Sequence, residues 1–297
     1  MAPIHAARVD PRSATTTAED PVGCTAFVFG GGGRWGAVQV GMVEALLDAG
    51  VIPDFVLGTS IGAFNGAMVA ADPTHAGAKR LRSLWHDISD LGVLSASLLQ
   101  RARTVLTERI SLHRTEDLRD VITRYLPTDR FKDLAIPFEC VAATVETAAE
   151  RWFDSGSLTD ALLASSAVPG LFPPVELDGL NYYDGGLVNS VPVDHAVRRN
   201  ATTVLVLQVG RFEQPLRRPE RMHEPALIAF EIARRHRFVT TMESLPDGIT
   251  VHVLPSGNLL KFDDRRQLKW KDLGETPALM DSAREATGKY LSDMGIA

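Results

Sequence analysis

Apolar residues along this chain fall in two rhythms that take turns. A short β-branched and aromatic run at residues 25–29 gives way to glycines over 30–36. Val40, Val43, Leu46 and Leu47 then recur at helical spacing within residues 37–49. Gly50 predicts the C-terminal stop of that helix. A second apolar run, 55–57, feeds the pentapeptide Gly58-Thr59-Ser60-Ile61-Gly62, after which small residues through 71 predict a helix that lies close against a sheet. Buried strands are predicted at 136–145, 203–209 and 249–254, and helices at 76–90, 98–110, 115–125, 194–199, 225–242 and 277–294. Strands alternating with helices at this spacing imply an α/β fold with parallel strands covered on both faces and ligands gathered at the strands' carboxyl ends. Both glycine-rich segments fall at such ends.

Composition narrows the classes. At 297 residues and 45% hydrophobic content the chain can bury a large core, and it is read as one domain over residues 24–297. A net charge of −6 is unsuited to a broad nucleic-acid surface, so no nucleic-acid partner is expected. The two cysteines, Cys24 and Cys140, form no CxxC pair, which excludes a thiolate zinc site and a disulfide framework and fits a reducing, cytoplasmic location. Residues 1–23 lack the continuous apolar core of a secretory leader and are expected to be a disordered tail. No apolar run approaches the roughly 20 residues needed to cross a bilayer. No His/Asp cluster has metal-ligand spacing, and neither metal nor cofactor is expected.

The chemistry concentrates on Ser60. A serine flanked by Gly58 and Gly62 at a strand-to-helix junction has the pattern of a nucleophile elbow, a turn so sharp that only glycine fits beside the serine. The alternative is an ordinary serine N-cap. A hydroxyl needs a base within reach and donors for the oxyanion that forms on attack. The glycine loop at 30–33 and the helix start beyond it offer backbone N–H groups. Of the candidate histidine bases none lies in a strand-end loop: His195 falls within a predicted helix, His223 and His236 in an arginine-rich amphipathic segment, and His252 inside the predicted strand 249–254. A better partner is Asp184, set between tyrosines and glycines in NYYDGGLVNSVPV, where a buried, sharply turned loop is expected.

These segments resemble the patatin-like phospholipases, which use a Ser-Asp dyad without histidine. The resemblance runs in order over residues 26–210: GGGGRWGAVQVG, GTSIGAFNGA, ASSAVPGLFPPVELDG and DGGLVNSVP. It implies a three-layer α/β/α fold with a mostly parallel central sheet, followed by a helical part over 211–297. Matched position by position, it implies Ser60 as nucleophile, Asp184 as general base, and the backbone of Gly31, Gly32 and Gly33 as oxyanion hole. Gly185, Gly186, Asn189 and Pro192 match the box that presents the base. The family's basic residue in the loop falls on Trp35, with Arg34 in the variable position before it. The implied activity is hydrolysis of lipid carboxylic esters through an acyl-serine.

Four further readings accompany it. Acyl transfer to an alcohol other than water would use the same dyad. The loop also satisfies GxGxxG, but a dinucleotide site wants an acid at the end of the second strand, and Asp54 precedes that strand. The segments 91–110 and 223–239 carry an apolar helical face beside arginines, as expected either of peripheral membrane contact or of plain packing on the body. Val168, Leu171, Phe172 and Val175 suit either an acyl-chain channel or core.

Overall fold

The computed structural model describes residues 23–91, 114–209, 215–216, 218–219, 224–257 and 275–296. The expected tail up to residue 22 and the expected helix at 98–110 lie outside them. An eight-stranded sheet forms the centre: β1 (Thr25–Phe29), β2 (Phe55–Thr59), β3 (Phe138–Thr144), β4 (Ala149–Phe153), β5 (Val175–Leu177), β6 (Leu180–Asp184), β7 (Thr203–Leu207) and β8 (Thr250–Val253). Strands β3, β2, β1, β7 and β8 run parallel, as the alternation predicts. The antiparallel strands β4, β5 and β6 extend the sheet beyond β3.

Two-sided burial explains why β1, β2 and β7 read as near-continuous apolar runs rather than alternating. Phe27 and Phe29 of β1 and Val56 of β2 enter one core, beneath α1 (Ala37–Asp48), α2 (Ile61–Ala71), α3 (His75–Leu91), α5 (Leu158–Ser165) and α8 (Thr276–Asp293). Their neighbours Ala26, Val28, Phe55 and Leu57 enter the other, with Val193 and Ala196 of α6 (Val193–Arg198) and Phe238 of α7 (Glu224–Glu243). The remaining helix, α4 (Thr115–Tyr125), contributes Val121 and Ile122 to the first core.

The register on β3 positions the chemistry. Ala142 pairs with Arg151 of β4 and also with Asp184 of β6, while Cys140 pairs with Phe153 of β4 and also with Gly58 of β2. A strand has two edges, so β2 and β6 share the edge opposite β4. Strand β2 runs along it in parallel as far as Thr59↔Val141, and β6 comes down antiparallel as far as Asp184↔Ala142. Two strand ends therefore meet head-on at consecutive positions of one neighbour. Ser60 follows the first, and Asp184 ends the second.

Candidate active site

The elbow is built by close approach. A Cβ on Gly58 would overlap Ala63, and one on Gly62 would overlap the carbonyls of Phe29 and Gly30, so neither flank of Ser60 tolerates a side chain. Ser60 itself has φ 57° and ψ −128°, a backbone conformation that L-residues rarely adopt. Such strain persists only where surroundings over-determine it. Here the Ser60 N–H donates to Ser165 Oγ at 3.0 Å, and that hydroxyl donates to Val141 O at 2.7 Å, tying the elbow to β3 through α5. Ser60 stands at the N-cap position of α2, yet its hydroxyl makes no cap hydrogen bond. The N-cap alternative is thereby corrected: the turn at Ser60 is held by its backbone.

Asp184 is 3% exposed. Its N–H donates to Ala167 O at 2.9 Å, and its Oδ1 accepts from the Gly186 N–H at 2.7 Å. Burial pushes the carboxyl up to about 6, opposed by the Ser60 hydroxyl and the Gly186 N–H. Asp184 Oδ2 is buried with no partner in hydrogen-bond geometry. Asp184 is buried and sharply turned, as expected from its tyrosines and glycines, though it stands at the last position of β6, entering a 3₁₀ turn, Gly185–Leu187, and not within a loop. Gly185 is required there because a Cβ would overlap Val141 O.

The loop after β1 is held on every side. Gly31 lies against the elbow, where a Cβ would come within 3.4 Å of Ser60 Cβ. Its N–H donates to Ser190 O at 3.0 Å, so of the three glycines expected to receive an oxyanion Gly31 already has its amide engaged. Beyond them Gly33–Gly36 forms a 3₁₀ turn where an irregular loop was expected. Arg34 and Trp35 are both buried, with the guanidinium 4.6 Å over the indole ring.

Several residues outside the motifs complete the scaffold. Gln39 Nε2 donates to Gly30 O at 2.8 Å and to Leu207 O at 2.7 Å, and Asn65 Nδ2 donates to Gly36 O at 3.0 Å and to Gln39 Oε1 at 2.7 Å. Trp85 Nε1 closes the chain onto Asn65 Oδ1 at 3.1 Å. From α7, Arg234 reaches Gly31 O at 3.0 Å. The available signal for Gln39 and Asn65 was a single amide among the small and apolar residues of the first turns of each helix; for Arg234 there was none. Asn189 and Pro192 hold the loop beyond Asp184: Asn189 O accepts from Thr59 Oγ1 at 2.8 Å, its side chain donates to Asp194 and Glu150, and Pro192 stands at the N-cap of α6.

Among the described alternatives, His195, His252 and Asp54 are engaged elsewhere. His195 bonds Glu139 at 2.7 Å and stacks on Trp152 at 3.5 Å, His252 contacts Tyr290 Oη at 3.0 Å, and His236 is exposed. His223 lies outside the described residues. Asp54, the acid a dinucleotide would want, accepts the Thr25 N–H at 2.6 Å and lies at the opposite end of β1 and β2 from the glycine loop. Val168 and Leu171 are half-buried and Phe172 and Val175 buried, directly after the Ala167 carbonyl that holds Asp184. Among the described residues no group of acidic, histidine or cysteine side chains could hold a metal ion, and no helix is long and apolar enough to cross a membrane.

Known proteins share this arrangement of segments. The chain is 32% identical over 187 residues to human patatin-like phospholipase domain-containing protein 6, and 30% identical over 187 residues to mouse patatin-like phospholipase domain-containing protein 7. It is 30% identical over 195 residues to lysophospholipase nte1 of Aspergillus terreus. These alignments cover 62–63% of this chain but only 12–13% of the relatives' own lengths. Among solved structures, VipD from Legionella pneumophila superposes with a TM-score of 0.51 at 14% identity, covering 92% of this chain and 67% of that one, a likeness of fold. The profile described as patatin-like phospholipase matches residues 27–197. With the ordered glycine loop, elbow and DGG box inside that span, the chain belongs to the patatin-like phospholipase family.

Proposed function

We propose that this protein is a serine acyl hydrolase acting on carboxylic esters of lipids, of the phospholipase or lysophospholipase kind, with Ser60 as nucleophile and Asp184 as its base. The observation that carries the reading is the meeting of β2 and β6 at adjacent positions of β3, which sets a strained serine beside a buried carboxylate. In the proposed reaction Ser60 Oγ attacks the ester carbonyl as its proton passes to Asp184. The amides of Gly32 and Gly33 receive the developing negative charge. Collapse breaks the ester C–O bond, and the alcohol leaves with the proton from Asp184. Water then attacks the acyl-serine, again giving a proton to Asp184, which returns it to Ser60 as the acid departs. The acyl chain runs along Val168, Leu171, Phe172 and Val175.

Labelling with a fluorophosphonate probe, with the adduct mapped by mass spectrometry, tests the assignment. Ser60 is expected to carry the adduct, and Ser60→Ala and Asp184→Asn to lose ester hydrolysis with the fold retained. An Asp184→Asn protein that turns over normally would end the dyad reading.

Peripheral contact with a lipid surface belongs to the same reading. Leu187, next to the DGG glycines, is 44% exposed, and Ile232 on the outward side of α7 is 55% exposed. Flotation with anionic vesicles at low salt should carry the protein upward; failure to float removes the contact from the reading. Free Cys24 and Cys140 accord with a cytoplasmic location.

A further inference from the structure

The oxyanion loop takes its cation from a distant helix. Arg234 stands 203 residues from Gly31 in sequence, yet its side chain is only 6% exposed and its NH1 donates to the Gly31 carbonyl at 3.0 Å. Its NH2 is shared with Glu231 at 3.0 Å, which compensates the buried charge. The register of α7 on the site is set from both sides of this contact. One turn earlier Phe230 abuts Gly186, where an added Cβ would lie 2.9 Å from the ring and 2.9 Å from Asp184 Oδ1. One turn later Arg237 bonds Glu150 and Asp194, the two carboxylates that hold the Asn189 side chain.

Elementary peptide geometry gives the Arg234 contact its consequence. A trans peptide is planar, with C=O and N–H pointing in opposite directions. Capturing the carbonyl of Gly31 therefore sets the direction of the N–H of Gly32, which belongs to the same plane. Charge-assisted bonding to that carbonyl also polarises the amide and strengthens its donor end. Gly31 is fixed as well through its own N–H on Ser190 O, and its Cα lies against Ser60. The position where the family pattern expects a basic residue holds Trp35. We infer that Arg234 is a positioning residue for the reaction: it orients and polarises the Gly31–Gly32 peptide so that the Gly32 amide donates to the oxyanion. This rests on the Ser60 reading above.

The test uses the full chain with a p-nitrophenyl acyl ester and an alkyl trifluoromethyl ketone, which forms a tetrahedral adduct carrying the same oxyanion. Arg234→Met should lower kcat by roughly 100-fold, the loss typical of one oxyanion donor, with KM within about twofold. Inhibition by the trifluoromethyl ketone should weaken by a similar factor, while the pH midpoint set by Asp184 stays put. Arg234→Gln, which keeps a donor without charge, should lose about tenfold in both readouts and keeps the test open if the methionine protein does not fold. A folded Arg234→Met or Arg234→Gln protein with wild-type kcat and ketone affinity overturns the inference and leaves the dyad standing. Continued hydrolysis by Ser60→Ala brings down the dyad, and this inference with it.

Discussion

Asp184 faces two demands at the scale of a single residue. As the proposed base it would have to ionise, but burial holds its carboxyl up at about 6 instead of the ordinary 3.8. In the proposed mechanism kcat/KM should fall about tenfold per pH unit below that midpoint and level off above it, measurable in a pH–rate profile. Stability follows the opposite sign. An acid whose folded pKa is raised binds its proton more tightly in the folded than in the unfolded chain. Below about pH 4 the group therefore costs nothing, and between about 4 and 6 the folded state loses stability as pH rises. The full cost above that window is up to about 3 kcal/mol, from two units at about 1.4 each. Asp184→Asn is expected to resist urea better than wild type at pH 8, with the advantage shrinking toward pH 4. A midpoint shift that is the same at both pH values would contradict this account.

Secondary-structure elements supply what the motif residues cannot hold alone. The carbonyls of the glycine loop emerge from the end of β1 into a dry interior, where an unmet acceptor costs about 1–3 kcal/mol. Gln39 on α1 meets one of them, Gly30 O, and also Leu207 O at the end of β7, so a single side chain ties β1, β7 and α1 together. Asn65 on α2 and Trp85 on α3 then brace Gln39 from behind. Gln39→Met keeps the volume and removes both donors. Chemical denaturation should show a loss of about 2–5 kcal/mol, larger than a surface substitution gives. A loss below 1 kcal/mol would mean that the network contributes little.

The whole molecule joins distant parts of the chain at two crossings. At one, α7 lies over the loop and the DGG turn. At the other, α8 crosses α1 so closely that a Cβ on Gly41 would overlap the Met280 carbonyl. Arg284 on α8 reinforces the second contact through Asp48 at 2.8 Å. Gly41→Val should push α8 off α1, costing about 2–4 kcal/mol from overpacking, or a fall in Tm of roughly 4–16 °C at 2–4 °C per kcal/mol. An unchanged Tm would show that the two helices separate without cost.

Local rules made much of this protein readable. Parallel strands buried on both faces must be apolar throughout, so residues 25–29, 55–57, 136–145 and 203–209 announced the sheet centre, and 3.6-residue spacing announced α1, α3, α4, α7 and α8. The glycines beside Ser60 and Asp184 were legible because backbone contacts there exclude a Cβ. Strands β4, β5 and β6 and helix α5 went unread: β4 at the sheet margin is half-exposed and carries Glu150 and Arg151, β5 and β6 are short and part-exposed, and α5 spans only two turns. Tertiary structure alone decided that β2 and β6 end at neighbouring positions of β3, that Gly31 spends its amide on Ser190, and that Arg234 reaches the loop. Those outcomes join residues scores to hundreds of positions apart, and periodicity reports only on a residue's neighbours within a few turns.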